Sequence, residues 1–211
     1  MIERQAREQL SAYGHSFFAR GYSCGTSGNL SVRLDDGSFL MSPTNVSLGQ
    51  LDPAQLSLVD RDGRHAAGPP PTKESWLHLA MYASRPQDAA VVHLHSPHAT
   101  ALSCRTDVAP DDCVPALTPY VVMRVGRVAL VPYSRPGHAG SSDRVAALAR
   151  THRALLLANH GPVVAGADLP SAAAAAEEFE ETARLMFLLE GRPHRRLSAD
   201  EVEELLQVFG R

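Results

Sequence analysis

Val91-Val92-His93-Leu94-His95 sets two imidazoles two residues apart in a run of apolar, β-branched residues. Along a strand, that spacing sends both rings to one face and Leu94 to the other. Two imidazoles so placed are natural ligands for one metal ion. The alternative is a pair of polar residues on a half-exposed strand, but the flanking valines argue for burial, and buried imidazoles need a partner. A third imidazole, His160, follows Leu155-Leu156-Leu157-Ala158-Asn159 and precedes Gly161-Pro162. Polar residues at the end of an apolar strand are placed as functional groups often are in α/β folds. Three histidines with one open position are the ligand set expected of a catalytic metal. Glu74, just beyond a proline-rich connector, offers a carboxylate that could be a fourth ligand, a general base, or both in turn. On composition alone, complementing a helix dipole is the simpler account of Glu74.

Three further segments have the chemistry of an anion site. Gly25-Thr26-Ser27-Gly28-Asn29 offers bare backbone amides and hydroxyls, and Ser42-Pro43-Thr44-Asn45 is similar. Thr72-Lys73 places a hydroxyl and a cation where a helix should begin. Singly, each reads as a turn. Together they point to a small phosphorylated substrate, and none has the spacing of a nucleotide-binding loop. His78 lies one helical turn from Glu74 and could approach the site, though packing is the expected role. His98 should start a helix and leave the ligand face, while His15, His65, His138, His152 and His194 fall in segments that read as surface.

These groups need elements to hold them. Residues 2–20 read as an amphipathic helix, followed by strands at Leu30–Leu34, Ser38–Ser42 and Leu56–Val59. After Gly68-Pro69-Pro70-Pro71, Thr72–Ser84 has helical periodicity with Thr72 as N-cap. Strands are expected at Ala89–His95, at Val121–Val131 with a turn possible at Gly126, at Arg153–Ala158 and at Val163–Ala165, with a break at Gly161-Pro162. Helices are expected at Asp143–Thr151 and Pro170–Leu189. The pattern predicts an α/β chain, residues 1–211 forming a single three-layer domain around a mixed, partly antiparallel sheet. The 211 residues are 44% hydrophobic and 20% charged, with a formal net charge of -3 and no block of like charges. Broad affinity for nucleic acid or anionic membranes is not expected. No apolar run is long enough to span a bilayer, and Ile2-Glu3-Arg4-Gln5 is not a signal segment, so a cytoplasmic address follows. Cys24, Cys104 and Cys113 lack CxxC spacing and read as idle thiols.

The segments GTSGNLSVR, SPTN, PTKESWLHLAMY, AVVHLHSPHA and LLLANHGPVVAG resemble, in order, those of the class II aldolase/adducin family, from about residue 5 to about residue 190. The resemblance implies the family's three-layer α/β/α fold. It implies zinc at His93, His95 and His160 (manganese or cobalt being possible) and Glu74 as an acid/base that also touches the metal. Gly28, Asn29, Thr44, Asn45, Thr72 and Lys73 match its phosphate-binding segments. PTKESWLHLAMY with LTPYVVMRVGRVALVPYSRPG is most similar to the branch that decarboxylates 3-oxo-tetronate 4-phosphates through a metal-stabilised enediolate. Aldolases of fuculose or ribulose phosphates are the rival branch, and a non-catalytic adducin-like module is the alternative outside enzymes. Such proteins usually form tetramers, which makes Tyr120 and Tyr133 candidates for completing a neighbour's pocket, although strand packing is the expected role of Tyr133. The stretch Gly137-His138-Ala139-Gly140 departs from the family pattern.

Overall fold

Alternating side chains along the central strands divide the apolar residues into two sets, and the fold buries both. In the computed structural model, which describes residues 2–135, 137 and 139–209, strand β1 runs over Asn29–Arg33, β2 over Phe39–Met41, β3 over Ser57–Val59 and β4 over His65–Ala67. Strands β5 (Ala90–His93), β6 (Val128–Val131), β7 (Ala154–Leu157) and β8 (Gly161–Gly166) complete one sheet. Its spatial order is β4-β3-β2-β1-β5-β8-β7-β6. The β6–β7 pair is parallel and the other neighbours are antiparallel, which gives the mixed sheet expected.

One face carries Leu30, Val92, Leu156 and Val164, and is closed by helices α1 (Glu3–Ala19) and α5 (Leu169–Leu189) through Leu10, Phe17 and Phe179. The other carries Met41, Val91, Leu155 and Val163, and is closed by α2 (Ser75–Ser84) and α4 (Ser142–Ala149) through Leu77, Met81 and Val145. Three layers result. A short helix, α3 (Pro97–Ser103), follows β5, and α6 (Ala199–Phe209) ends the described chain.

Several boundaries differ from the sequence expectation. Thr72 does not begin a helix. Its N–H donates to the Ser42 carbonyl (3.1 Å) and Pro43 bridges Pro71, so the chain is still paired there. It then turns through Lys73 and Glu74, with the Ser75 N–H donating to the Thr72 carbonyl (3.1 Å), and Glu74 occupies the N-cap position. Val121–Val125 is a π-helical turn and not a strand. Val121 and Val125 are buried on one side of it, and Gly126, at φ 74°, closes it by donating to the Val121 carbonyl. Gly161-Pro162 is not a break but the start of β8, and the chain reverses one step earlier, with Asn159 in the left-handed region (φ 55°). Neither β4 nor α6 is among the expected elements.

Gly161 sits where two backbones nearly touch: a Cβ there would lie 2.4 Å from the Leu94 carbonyl oxygen. Gly161→Ala should therefore lower unfolding free energy by about 1–3 kcal/mol, the usual cost of overpacking. Urea denaturation measures it, and an unchanged midpoint would show that the approach is not rigid.

Candidate active site

Strand β5 lies between β1 and β8, and this register assembles the site. Asn29 stands opposite His93 on one side and Val163 on the other. His93 is fully buried, and its Nδ1 lies 2.8 Å from the Pro162 carbonyl oxygen. A carbonyl only accepts, so Nδ1 carries the proton and Nε2 presents a lone pair. Strand β5 ends at His93, earlier than the sequence pattern indicates, but the Leu94 N–H still donates to Pro162 (3.2 Å). The chain thus stays extended long enough to bring His95 back beside His93. Beyond it, Glu180 of α5 accepts from the backbone N–H groups of His98 (2.9 Å) and Ala99 (2.8 Å), holding the start of α3. His160 is fixed through its backbone: its N–H donates to Ser103 Oγ (3.1 Å) and its carbonyl accepts from Thr100 Oγ1 (3.3 Å).

The three Nε2 atoms converge. His93 and His160 are 3.3 Å apart, His93 and His95 3.2 Å, and His95 and His160 3.0 Å. Glu74 Oε2 stands 3.3 Å from His93 Nε2, and Oε1 stands 3.3 Å from His160 Nε2. One ligand atom from each of the four residues fits within 4.8 Å of all the others. Tetrahedral ligands bound at 2.0–2.1 Å stand about 3.3 Å apart, so the spacing suits an ion such as zinc. The donor chemistry agrees: lone pairs crowded this closely need a shared cation, and three imidazoles with a carboxylate accept one.

Burial dominates the histidines' protonation. It pushes His95 down to about 3 and His160 to about 4, with the charge of His93 acting in the same direction. Both are therefore neutral and able to coordinate at neutral pH. At Glu74 burial pulls upward, but in acid, where His160 takes up its proton, the hydrogen bond and charge of His93, the Asn29 amide and the charge of His160 together prevail and hold the carboxyl below its ordinary range. In the metal-free protein Glu74 thus stands as a carboxylate.

Behind Glu74 runs a buried polar chain. Asn29 Nδ2 donates to Glu74 Oε2 (2.9 Å), while Asn29 Oδ1 meets His78 Nε2 at 2.5 Å. His78 Nδ1 lies 2.7 Å from Ser31 Oγ, which lies 2.8 Å from the Tyr82 hydroxyl. His78 is fully buried and pushed down to about 3. Its spacing from Glu74 was the one sequence signal for this contact, and packing alone does not describe its role.

Glu74, His95 and His160 open into a cavity of about 660 Å³ that is also lined by Gly28, Asn29, Thr44, Asn45, Thr72 and Lys73. Every anion-binding candidate thus reaches the same cavity, although the Asn29 side chain is already committed to Glu74 and His78. Thr100 and Asn159, which the sequence reading did not place in the site, line it too. Tyr133 is 65% exposed and lines the cavity beyond the end of β6, so it is not a strand-packing residue. Tyr120 is also exposed, its ring 4.8 Å from the Arg124 guanidinium. His138 of the divergent stretch, and Pro136 just before that stretch, lie outside the described residues. His98 begins α3 and pairs with Glu180, while His65 and His194 are exposed.

Residues 8–187 match the Class II Aldolase and Adducin N-terminal domain family. The chain belongs to this family. It is 49% identical over 203 residues to the 3-oxo-tetronate 4-phosphate decarboxylase of Pectobacterium atrosepticum, covering 96% of this chain and 93% of that one. It is 34% identical over 193 residues to an L-fuculose phosphate aldolase of Escherichia coli, covering 90% of this chain and 86% of the relative. A crystal structure of YgbL from Klebsiella pneumoniae superposes with a TM-score of 0.95 at 49% identity, over 97% of this chain and 99% of that chain. The family's metal dependence agrees with the histidine–glutamate cluster.

The depressed histidines have a consequence for metal-free protein. Below the ordinary value of 6.5, the unfolded chain binds protons that His78, His95 and His160 refuse until about pH 3 to 4. Stability should hold above pH 7 and fall as pH drops from about 6.5 toward 4. Urea midpoints across that range test it, and a flat or rising profile toward acid would contradict the neutral buried histidines.

Proposed function

We propose that this chain is a metal-dependent carboxy-lyase that converts a 3-oxo-tetronate 4-phosphate to dihydroxyacetone phosphate and CO2. One observation carries the reading: Glu74 stands in a single cavity between a ligand set for a cation and a set of anion-binding groups. The choice of bond rests on the relatives, since the decarboxylase is 49% identical to this chain and the fuculose phosphate aldolase 34%. An adducin-like scaffold role has no need of the cluster.

The roles follow from position. Backbone amides at Gly28 and Asn29, the Thr44, Asn45 and Thr72 side chains and the Lys73 ammonium hold the substrate phosphate and fix the reactive end against Glu74. His93, His95 and His160 would hold the divalent ion, zinc by preference and manganese or cobalt as substitutes, which supplies Lewis acidity at the substrate ketone. When the carbon–carbon bond to the carboxylate breaks, CO2 leaves and the electron pair remains on the substrate as an enediolate. Protonated Glu74 gives its proton to that carbon and reverts to carboxylate, to be reprotonated from solvent. Its working range as an acid would require Glu74 to be displaced from the ion by bound substrate, with burial then raising it against the pull of the Asn29 amide.

The same reading takes residues 1–211 as one functional domain, with a phosphorylated sugar acid or ketose as its small-molecule partner. The described residues contain no helix long and apolar enough to cross a membrane, and the unpaired cysteines suit the cytoplasm. Homotetramers, with Tyr120 or Tyr133 reaching a neighbour's pocket, rest on the family resemblance and on the exposure of both rings.

Incubation with 3-oxo-tetronate 4-phosphates should release CO2 and dihydroxyacetone phosphate, whereas cleavage of fuculose 1-phosphate instead would reassign the enzyme to the aldolases. Glu74→Gln should lower kcat by about 10²- to 10⁴-fold, the range for a lost general acid, with one metal per chain retained. Full turnover by that variant would remove Glu74 from the chemistry.

A further inference from the structure

The polar chain behind Glu74 has only one consistent direction. Glu74 Oε2, as a carboxylate oxygen, accepts, so the Asn29 amide must turn its NH2 toward it, at 2.9 Å. Asn29 Oδ1 then faces His78 Nε2 and can only accept, which makes Nε2 the protonated nitrogen. His78 Nδ1 must therefore accept, and the Ser31 hydroxyl donates to it at 2.7 Å. Ser31 Oγ in turn accepts from the Tyr82 hydroxyl at 2.8 Å. Tyr82, Ser31, His78 and Asn29 are all buried, so water does not substitute for a missing partner without rearrangement.

We propose that His78 is a positioning residue for the reaction: as the Nε2–H tautomer it locks the Asn29 amide, and Asn29 in turn anchors Oε2 of Glu74. Oε1 is left as the edge of Glu74 that faces His160 and meets the substrate. A flipped Asn29 amide would set its carbonyl against the carboxylate and release that anchor. As the Nε2–H tautomer His78 opposes the flip, because its ring N–H cannot donate to an NH2 group, and a flip would require the ring proton to move to Nδ1 and the Ser31–Tyr82 hydroxyl bonds to reverse. The proposal rests on Glu74 being the acid/base, and it adds that the acid's geometry is set from the core side of α2, one helical turn away. His78 touches neither substrate nor metal in this account.

The test compares the zinc-loaded wild type with His78→Gln and His78→Leu. Glutamine can donate to Asn29 and accept from Ser31, whereas leucine can do neither. His78→Leu should lower kcat on the 3-oxo-tetronate 4-phosphate by about 10- to 100-fold, the usual cost of losing a group that orients a metal-site residue. KM and bound zinc should stay near wild type, and His78→Gln should recover most of the loss. A wild-type kcat in His78→Leu would overturn the proposal, as would a loss confined to KM or no recovery in His78→Gln. A second readout needs neither turnover nor a variant that folds. In ¹⁵N NMR of the wild type, His78 should carry its proton on Nε2, and a proton on Nδ1 would refute the chain. A wild type inactive on this substrate would instead count against the decarboxylase reading, while the tautomer still decides the inference.

Discussion

Three imidazole nitrogens standing 3.0–3.3 Å apart beside a carboxylate are the constraint to which the surrounding structure answers. Groups of this kind repel or compete for protons when brought together in a half-buried place, and a shared divalent cation removes the conflict. The protein holds them there by backbone geometry. The Pro162 carbonyl sets the tautomer of His93, the extended chain after β5 returns His95 to the same face, and Ser103 and Thr100 of α3 pin the backbone of His160. Core burial on both sheet faces keeps these contacts rigid, because the strands that carry them pack between α1 and α5 on one side and α2 and α4 on the other.

Asn29 joins the parts of the site. Its backbone stands opposite His93 in the β1–β5 register, its side chain bridges Glu74 and His78, and Gly28 before it lines the cavity. A Cβ at Gly28 would lie 3.1 Å from the His93 carbonyl oxygen, and its φ of 78° favours glycine. The GTSGN loop thus passes close over the end of the strand that carries His93, which fixes the distance between the loop and the histidine cluster. Such preorganisation is what lets a metal and an acid act together on one small substrate.

Much of this was legible in the sequence where chemistry and periodicity coincide. The period-2 placement of His93 and His95 needs only an extended chain, and Leu94 does face the opposite core. The long α5 and the apolar strands β5 and β7 follow from residues that have one stable place to go. What local pattern could not show was set by distant contacts. Glu74 looked like a dipole partner because only tertiary folding turns its side chain from its own helix toward His93 and His160. Val121–Val125 has the composition of a strand, yet burial of Val121 and Val125 on one side and the Gly126 bond make it a π-turn. The role of His78 depends on Asn29 and Ser31, which lie 49 and 47 residues away in the chain.

The most direct measurement is crystallographic: an anomalous-difference map at the zinc absorption edge from crystals of zinc-loaded protein. The account predicts one strong peak within about 2.0–2.1 Å of Nε2 of His93, His95 and His160, with an open position toward the cavity. A fully loaded protein whose zinc lies elsewhere, or binds fewer than all three histidines, would contradict it.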